Sequence, residues 1–498
     1  GMLEAFVHYF NMHKIENYEV PIVPEEEYPE VDVFIATYNE PADLLYKTVN
    51  GCVHMDYPDK KKVHIYLCDD GKRQEIRELA EQMGVGYIDR EDHKGAKAGN
   101  LNHAMSVTHA PLIATFDADM IPKRDFLMVT VAYFVDREIK NRDLDDKDKI
   151  KLGFIQTPQS FYNPDLFQFN LFAENKIPNE QDYFYKDVQI SRNKSNCVIY
   201  GGSNTLISRE ALNDVGGFYT NSITEDFATG ILIQAKGYHC YAINQVLASG
   251  LSPTDLKSLI NQRVRWARGC IQTGRKMHLI LNPKLKFTQK INYMASVWYW
   301  YASWKRLIYI MSPILFATFD VVVVKCTLLE VLIFWLPMYI SSNISLKMMS
   351  RNIRTTRWTN LYETIIFPFL LIPTLLETFG ISMKKFKVTK KGGDAEELAV
   401  RDPAFYPDRI VHHRNRKVYR LDFYNWTDRL SGHFVLAVIK LLQSGHVVIL
   451  YFGKKSSAKC RASACRHSMS HENQIRGRGW CDRGYRRGGA VYPVKGAA

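Results

Sequence analysis

The sequence predicts an α/β fold built on a doubly wound parallel sheet, followed by helical segments suited to a bilayer. Three observations carry that expectation. Short apolar runs alternate with stretches of helical apolar spacing early in the chain, the pattern of βαβ units. The runs at 31–36, 63–68 and 111–116 each stop at a polar cluster: Thr37-Tyr38-Asn39-Glu40, Asp69-Asp70-Gly71 and Asp117-Ala118-Asp119. Ligands of such sheets bind beyond the carboxyl ends of the strands, where these clusters fall. After Trp266 the chain changes to aromatic-rich and then long apolar stretches.

Taken in order, residues 1–30 are a polar, acidic lead-in ending in Pro21, Pro24 and Pro29. Residues 31–36 read as a strand, 43–53 as a helix, 63–68 as a strand, 73–83 as a helix and 85–88 as a short strand. Residues 94–104 resemble a phosphate loop, with small residues for close backbone approach and Lys94 and Lys97 for charge, although the spacing is not the Walker pattern. The run at 111–116 reads as a buried strand leading into Asp117 and Asp119. Alternate residues of an extended strand face one way, so the two carboxylates converge at its end. Such a pair, with coordination positions left open, suits a hard divalent cation shared with diphosphate oxygens. Downstream come Gln156-Thr157-Pro158-Gln159, Gly201-Gly202-Ser203, Thr224-Glu225-Asp226 and Gln262-Arg263-Val264-Arg265-Trp266. Alone, a Glu-Asp pair reads as a solvated helix start and a Trp after Arg as core or rim; their order together is what points to chemistry.

The formal net charge of +13 suggests a polyanionic partner: nucleic acid, an anionic membrane surface or phosphate-bearing substrates. The surplus sits in the flanks of the apolar runs and in the tail, which disfavours nucleic acid. The 9 cysteines form no framework. Cys52, Cys68, Cys197 and Cys240 lie in apolar surroundings and read as buried thiols of a reducing compartment. Cys460, Cys465, His467, His471 and Cys481 match no compact zinc spacing. No secretory signal is evident, and Gly1-Met2 suggests a start that is not the natural one.

The ordered series Asp70, Asp117-x-Asp119, Thr224-Glu225-Asp226 and Gln262-x-x-Arg265-Trp266 resembles the processive family-2 glycosyltransferases, most closely those of the bacterial cellulose synthase kind, over about residues 31–391. The resemblance implies a GT-A (Rossmann-like) domain, a UDP-sugar donor and inversion at the anomeric carbon. It implies that Tyr38 and Asp70, with Thr37 and Glu40 beside them, hold the uridine, and that Lys97 lies near the donor. Asp117 and Asp119 would bind the diphosphate through Mg²⁺ or Mn²⁺. Asp226 would be the general base, next to Glu225, while Gln262, Arg265 and Trp266 would place the acceptor sugar and the diphosphate. The chemistry suits these residue types independently. An inverting transfer needs a carboxylate at the acceptor oxygen, and a leaving diphosphate needs cations. Trp266 offers a flat face for a pyranose, and Arg265 offers several donors for phosphate oxygens. A glycoside hydrolase would need a carboxylate pair but neither the Lys97 loop nor the metal-type Asp-x-Asp.

The stretch 291–304 carries Tyr293, Trp298, Tyr299, Trp300, Tyr301 and Trp304, as at a bilayer interface. Runs 307–324 and 326–346 each have the length of one span, the first interrupted only by Asp320 and the second only by Glu330. Lys305 and Arg306 before the first, and Arg351, Arg354 and Arg357 after the second, keep both ends of that hairpin cytoplasmic. Asn360 to Ser382 is expected to be an interfacial helix by the resemblance. It leads to 386–391, where Phe386, Val388 and Thr389 match the family's gating loop over the donor. Gln159 and Gly201 depart from the usual His and Cys of the family near the acceptor, which leaves the sugar open. Arg416 and Arg420 resemble a cyclic-di-GMP arginine pair without its companion motif, 431–452 is a weak candidate span, and the tail from Lys454 is basic and aperiodic.

The expected organisation is therefore a lead-in at 1–30, a cytoplasmic GT-A domain at 31–290, a transmembrane hairpin, interfacial helix and gating loop at 291–391, and a tail at 392–498. The expected protein is a multi-pass enzyme of the inner membrane. It would polymerise a hexose, most simply glucose from UDP-glucose into a β-1,4-glucan, with the growing glycan, the lipid bilayer and an accessory or periplasmic synthase subunit as partners. The alternatives are another UDP-hexose such as UDP-N-acetylglucosamine, or a truncated non-catalytic partner.

Overall fold

The computed structural model describes residues 7, 9–13, 15–174, 176–321, 328–349 and 356–381. The expectations for the gating loop (Phe386, Val388, Thr389), Arg416 and Arg420, the run at 431–452, the cysteine–histidine group at 460–481 and the tail lie outside those residues.

The apolar runs become β1 (Val31–Thr37), β2 (Val63–Asp69), β3 (Gly86–Ile88) and β4 (Leu112–Asp117), parallel and in the order β3-β2-β1-β4. The short β5 (Ile121–Pro122) follows, then β6 (Leu152–Gln156), β7 (Gln159–Phe161), β8 (Thr205–Ser208), β9 (His239–Ala242) and β10 (Ala248–Gly250). The main sheet continues from β4 to β8, β6 and β9, and β5, β10 and β7 form a second, smaller sheet. The expectation of a parallel sheet needs correcting here: β8 runs antiparallel to both β4 and β6, so the sheet is mixed. A four-residue strand bounded by Ser203-Asn204 and an N-capping Ser208 has too little pattern of its own to report its direction.

The sheet is covered on both faces, which is why its strands are apolar throughout. Val31, Val33 and Ile35 of β1 share one core with Leu112, Ala114 and Phe116 of β4. Leu45 and Val49 of α1 (Ala42–Val53) belong to that core, as does Ile76 of α2 (Gln74–Met83). Phe34 and Ile113 turn to the other face, against Ala98 and Leu101 of α3 (Ala96–Val107). Each such large side chain contributes roughly 1.5–3 kcal/mol on burial. Asp32, 1 % exposed, interrupts this pattern without being stranded. It accepts from Arg209 Nη2 at 2.5 Å and from the Ala110 N–H at 3.0 Å, which ties the helix beginning at Arg209 to β1.

The helices that follow are α4 (Phe126–Asn141), α5 (Leu166–Asn170), α6 (Arg209–Val215), α7 (Glu225–Ala235), α8 (Leu256–Lys276), α9 (Phe287–Tyr299), α10 (Ala302–Phe319), α11 (Leu336–Met349) and α12 (Thr356–Thr378). Because α1 and α3 leave on opposite faces, the crevice beyond the carboxyl ends of β1 and β4 is the topological switch point.

The aromatic stretch at 291–304 is not uniformly interfacial. Tyr293 is buried, its hydroxyl donating to Gln234 of α7, and Trp300 is 8 % exposed, whereas Trp298 and Tyr299 are exposed. The helix α9 packs beside α8, and that face takes the aromatics inward. Much of 307–319 and 328–349 is helical, with Ile308, Tyr309, Leu329, Ile333, Phe334 and Ile344 turned outward. Among the described residues, one helix is long and apolar enough to cross a membrane, Trp358–Thr378. It falls in the segment expected to be interfacial, runs unbroken through Pro368 and Pro373, and packs against α8 and α10.

Candidate functional site

The three polar clusters at the strand ends line one cavity of about 1360 Å³, together with the acidic pair of α7 and with Gln262, Arg265 and Trp266 of α8. Drug-sized ligand sites run to about 300–1,000 Å³, so this one has room for a nucleotide-linked group and a second ligand. The structure brings Thr37, Tyr38, Glu40, Asp70, Lys97, Asp117, Asp119, Glu225, Asp226, Gln262, Arg265 and Trp266 to its wall.

At the end of β1 the chain turns on Glu40, whose Oε2 accepts from Thr37 Oγ1 at 2.8 Å and from the Tyr38 N–H at 2.9 Å. That turn leaves the Tyr38 ring half-exposed in the cavity, edge-on to His93 at 6.4 Å. Asp70, at the end of β2, is gripped by Arg90 through Nε at 2.6 Å and Nη2 at 2.9 Å. The same guanidinium donates to the Lys94 and Ala96 carbonyls at 2.6 and 2.9 Å and so sets the loop that enters α3. Arg90 and His93 are site residues the sequence did not single out; only a basic residue just past β3 could have marked the first.

Lys97, in the first turn of α3, reaches Asp117 Oδ1 at 2.5 Å and the Gly202 carbonyl at 2.8 Å. Burial works to lower its pKa, but Asp117, Glu225 and Asp226 outweigh it and the net shift is upward. The expected geometry of the Asp-x-Asp pair changes in detail: β4 ends at Asp117, and Ala118 and Asp119 form a turn. The carboxylates therefore share the cavity through that turn, closed by the Met120 N–H on the Asp117 carbonyl at 3.0 Å, rather than through strand alternation. The Asp117 N–H donates to Ser203 Oγ at 2.8 Å, and Asp119 is 1 % exposed. Among the described residues no group of three or more His, Cys, Asp or Glu forms a metal cage. Two hard oxygen donors at a cavity wall fit a divalent cation whose remaining ligands come from substrate.

Glu225 and Asp226 occupy the first turn of α7, whose N-terminus favours negative charge. Burial nonetheless pushes both carboxyls up, Glu225 to about 7 with Asp226 as its second cause. Lys97 and Arg265 oppose the shift at both. Asp226 Oδ1 accepts its neighbour's N–H, Phe227, at 2.7 Å, while Oδ2 lies over Gly202. A carboxylate with a raised pKa is suited to take a proton near neutral pH.

Gln262, Arg265 and Trp266 lie on consecutive turns of α8 and face the cavity. An N-capping Asp255, accepting the Ser258 N–H at 2.9 Å, starts this helix. Gln159, from β7, donates through Nε2 to the Gly201 carbonyl at 3.2 Å, so the two positions that depart from the expected motifs touch each other.

This is a switch-point site in a GT-A fold, and residues 29–269 match, as a domain, the family described as glycosyltransferase like family 2. The chain is cellulose synthase-like. It is 35 % identical over 368 residues to the UDP-forming cellulose synthase catalytic subunit of Pseudomonas fluorescens, covering 74 % of this chain and 48 % of that protein. It is 34 % identical over 385 residues to the cellulose synthase 1 catalytic subunit of Komagataeibacter xylinus, covering 77 % and 50 %. The chain thus spans about half the length of these curated relatives. A mannosyltransferase of Pyrobaculum calidifontis, solved with GDP-Man and Mn²⁺, shares the fold with a TM-score of 0.52 and 18 % identity over 76 % of this chain and 96 % of its own.

Proposed function

We propose that this chain is the catalytic part of a membrane-bound, inverting, processive β-glycosyltransferase that adds glucose from UDP-glucose to a growing β-1,4-glucan. The observation that carries the reading is the convergence of Lys97, Asp117, Asp119, Asp226, Gln262, Arg265 and Trp266 on one cavity. Thr37, Tyr38, Glu40 and Asp70 form the uridine end. Asp117 and Asp119 hold Mg²⁺ or Mn²⁺, which neutralises charge on the diphosphate when bound. Lys97 and Arg265 add positive charge as the diphosphate leaves. Trp266 stacks the terminal sugar of the acceptor, and Gln262 hydrogen-bonds it. Asp226 takes the proton of the attacking hydroxyl; burial raises its carboxyl and that of Glu225, which the neighbouring Asp226 raises further.

The same reading places the catalytic domain (31–290) on the cytoplasmic face of the inner membrane. The segment 291–391 supplies the transmembrane and interfacial helices, and basic flanks at Lys305 and Arg306 set the orientation. The outward apolar side chains of 307–319 and 328–349 support the bilayer as a partner. An accessory synthase subunit would receive the polymer. Because Gln159 and Gly201 meet at the acceptor side, UDP-N-acetylglucosamine is the competing donor. The test is UDP release by membranes holding the chain, with each common UDP-sugar and either cation. Release with UDP-glucose supports the reading, release with UDP-N-acetylglucosamine alone moves the substrate, and no UDP binding at all contradicts it.

A further inference from the structure

The acceptor helix carries a basic side chain that the transfer chemistry leaves unused. Arg263 lies three residues before Trp266 on α8, so the two share a face. The guanidinium carbon of Arg263 stands 4.5 Å from the centroid of the Trp266 ring. Its Nη2 pairs with Glu180 Oε1, and the two side chains are only 14 % and 7 % exposed. Glu180 is itself fixed: its N–H donates to Asp165 Oδ2 at 2.9 Å. The other oxygen of Asp165 accepts the Phe167 and Gln168 N–H groups at 2.9 and 2.8 Å, at the start of α5. A buried capping aspartate, a glutamate, an arginine and a tryptophan thus form one line from α5 to the acceptor motif.

A planar guanidinium both stacks on an indole and forks onto a carboxylate, which an ammonium does not do. With Arg263 on one face of Trp266, a pyranose has only the opposite face to lie against. We infer that Arg263, held by Glu180, is a positioning residue that fixes which face of Trp266 meets the acceptor and at what angle. The inference rests on the acceptor role proposed for Trp266. Neither Arg263 nor Glu180 handles the donor or the transferred proton.

The test uses the full chain in detergent, with calorimetric affinities for UDP with Mn²⁺ and for a β-1,4-gluco-oligosaccharide of six units. Alongside it, the share of UDP-glucose that ends as free glucose rather than polymer is measured at saturating donor. In Arg263→Ala and Glu180→Gln the oligosaccharide affinity falls about tenfold, the loss of an interaction on the order of that between a cation and a ring. UDP affinity stays at the wild-type value, and the free-glucose share rises several-fold. Arg263→Lys, which keeps the charge but not the plane, recovers part of the affinity. Unchanged oligosaccharide affinity and partition in the variants overturn the inference. So does a UDP affinity that falls in step with them, since a merely structural pair would give that. A wild type that binds UDP but no oligosaccharide contradicts the acceptor reading itself, whereas indifferent variants of a binding wild type overturn only the role of Arg263 and Glu180.

Discussion

Gly202 is the position at which one methyl group separates backbone strain from damage to the site. Its φ is +78°, and a Cβ built there stands 2.9 Å from Asp226 Oδ2 and 3.3 Å from the Asp226 Cβ. The left-handed backbone costs an alanine about 1–2 kcal/mol, a fall of roughly 2–8 °C in thermal midpoint for a domain of this size. The contact adds a second effect. To reach ordinary packing distance the carboxylate must retreat by roughly half an ångström, and misplacement of about 1 Å can cost on the order of a hundredfold in rate. Gly202→Ala is therefore expected to lower kcat for transfer about 10- to 100-fold. Gly216 provides the control, with φ +83° and nothing within 4 Å of an added Cβ. Gly216→Ala carries the same backbone strain and keeps the wild-type rate. The assay is UDP release at saturating donor, with thermal midpoints measured in parallel. Wild-type kcat in Gly202→Ala, or an equal loss of kcat in Gly216→Ala, would refute the placement of Asp226 against Gly202.

Four further outcomes follow from the structure. Burial raises the Asp226 carboxyl, so the acid limb of the pH–rate profile should lie above the range of an ordinary aspartate, the rate falling as pH drops through the raised pKa and the base is protonated. A carboxyl whose folded pKa is raised stabilises the fold below its unfolded value, and that contribution is lost as pH rises through the folded pKa. Glu225→Gln should therefore raise the thermal midpoint relative to wild type at pH 8 and leave the difference small at pH 5. Arg90→Ala leaves Asp70 buried without its forked partner; chemical denaturation should show a loss of about 3–5 kcal/mol, and calorimetry a weaker UDP affinity. Asp119→Asn should abolish the dependence of UDP affinity on Mn²⁺ while leaving cation-free binding within about twofold, read by titration with and without chelator.

Much of the catalytic core was legible because its strands are buried on both faces and bounded by turn residues. The runs at 31–36, 63–68 and 85–88 became Val31–Thr37, Val63–Asp69 and Gly86–Ile88, and the helices at 43–53 and 73–83 became Ala42–Val53 and Gln74–Met83. Cys52, Cys68, Cys197 and Cys240 are the buried thiols their surroundings suggested. The direction of β8 was not legible, since a local pattern says nothing of the strand it pairs with. The partners that fix the site were hidden for the same reason. Arg263 meets Glu180 from 83 residues away, and Asp117 meets Ser203 from 86. Tyr293 and Trp300 turn inward from a stretch that reads as interfacial, because composition records that a stretch is aromatic, not which way each ring turns.

The central claim is that this cavity transfers a sugar from a UDP donor with Asp226 as base, and the most direct measurement is incorporation of labelled glucose from UDP-glucose into polymer by the wild-type chain and by Asp226→Asn in the same membranes. Cation-dependent incorporation that β-1,4-glucanase releases is expected, with its loss in Asp226→Asn while UDP affinity is retained. Equal incorporation by the two proteins would contradict that claim.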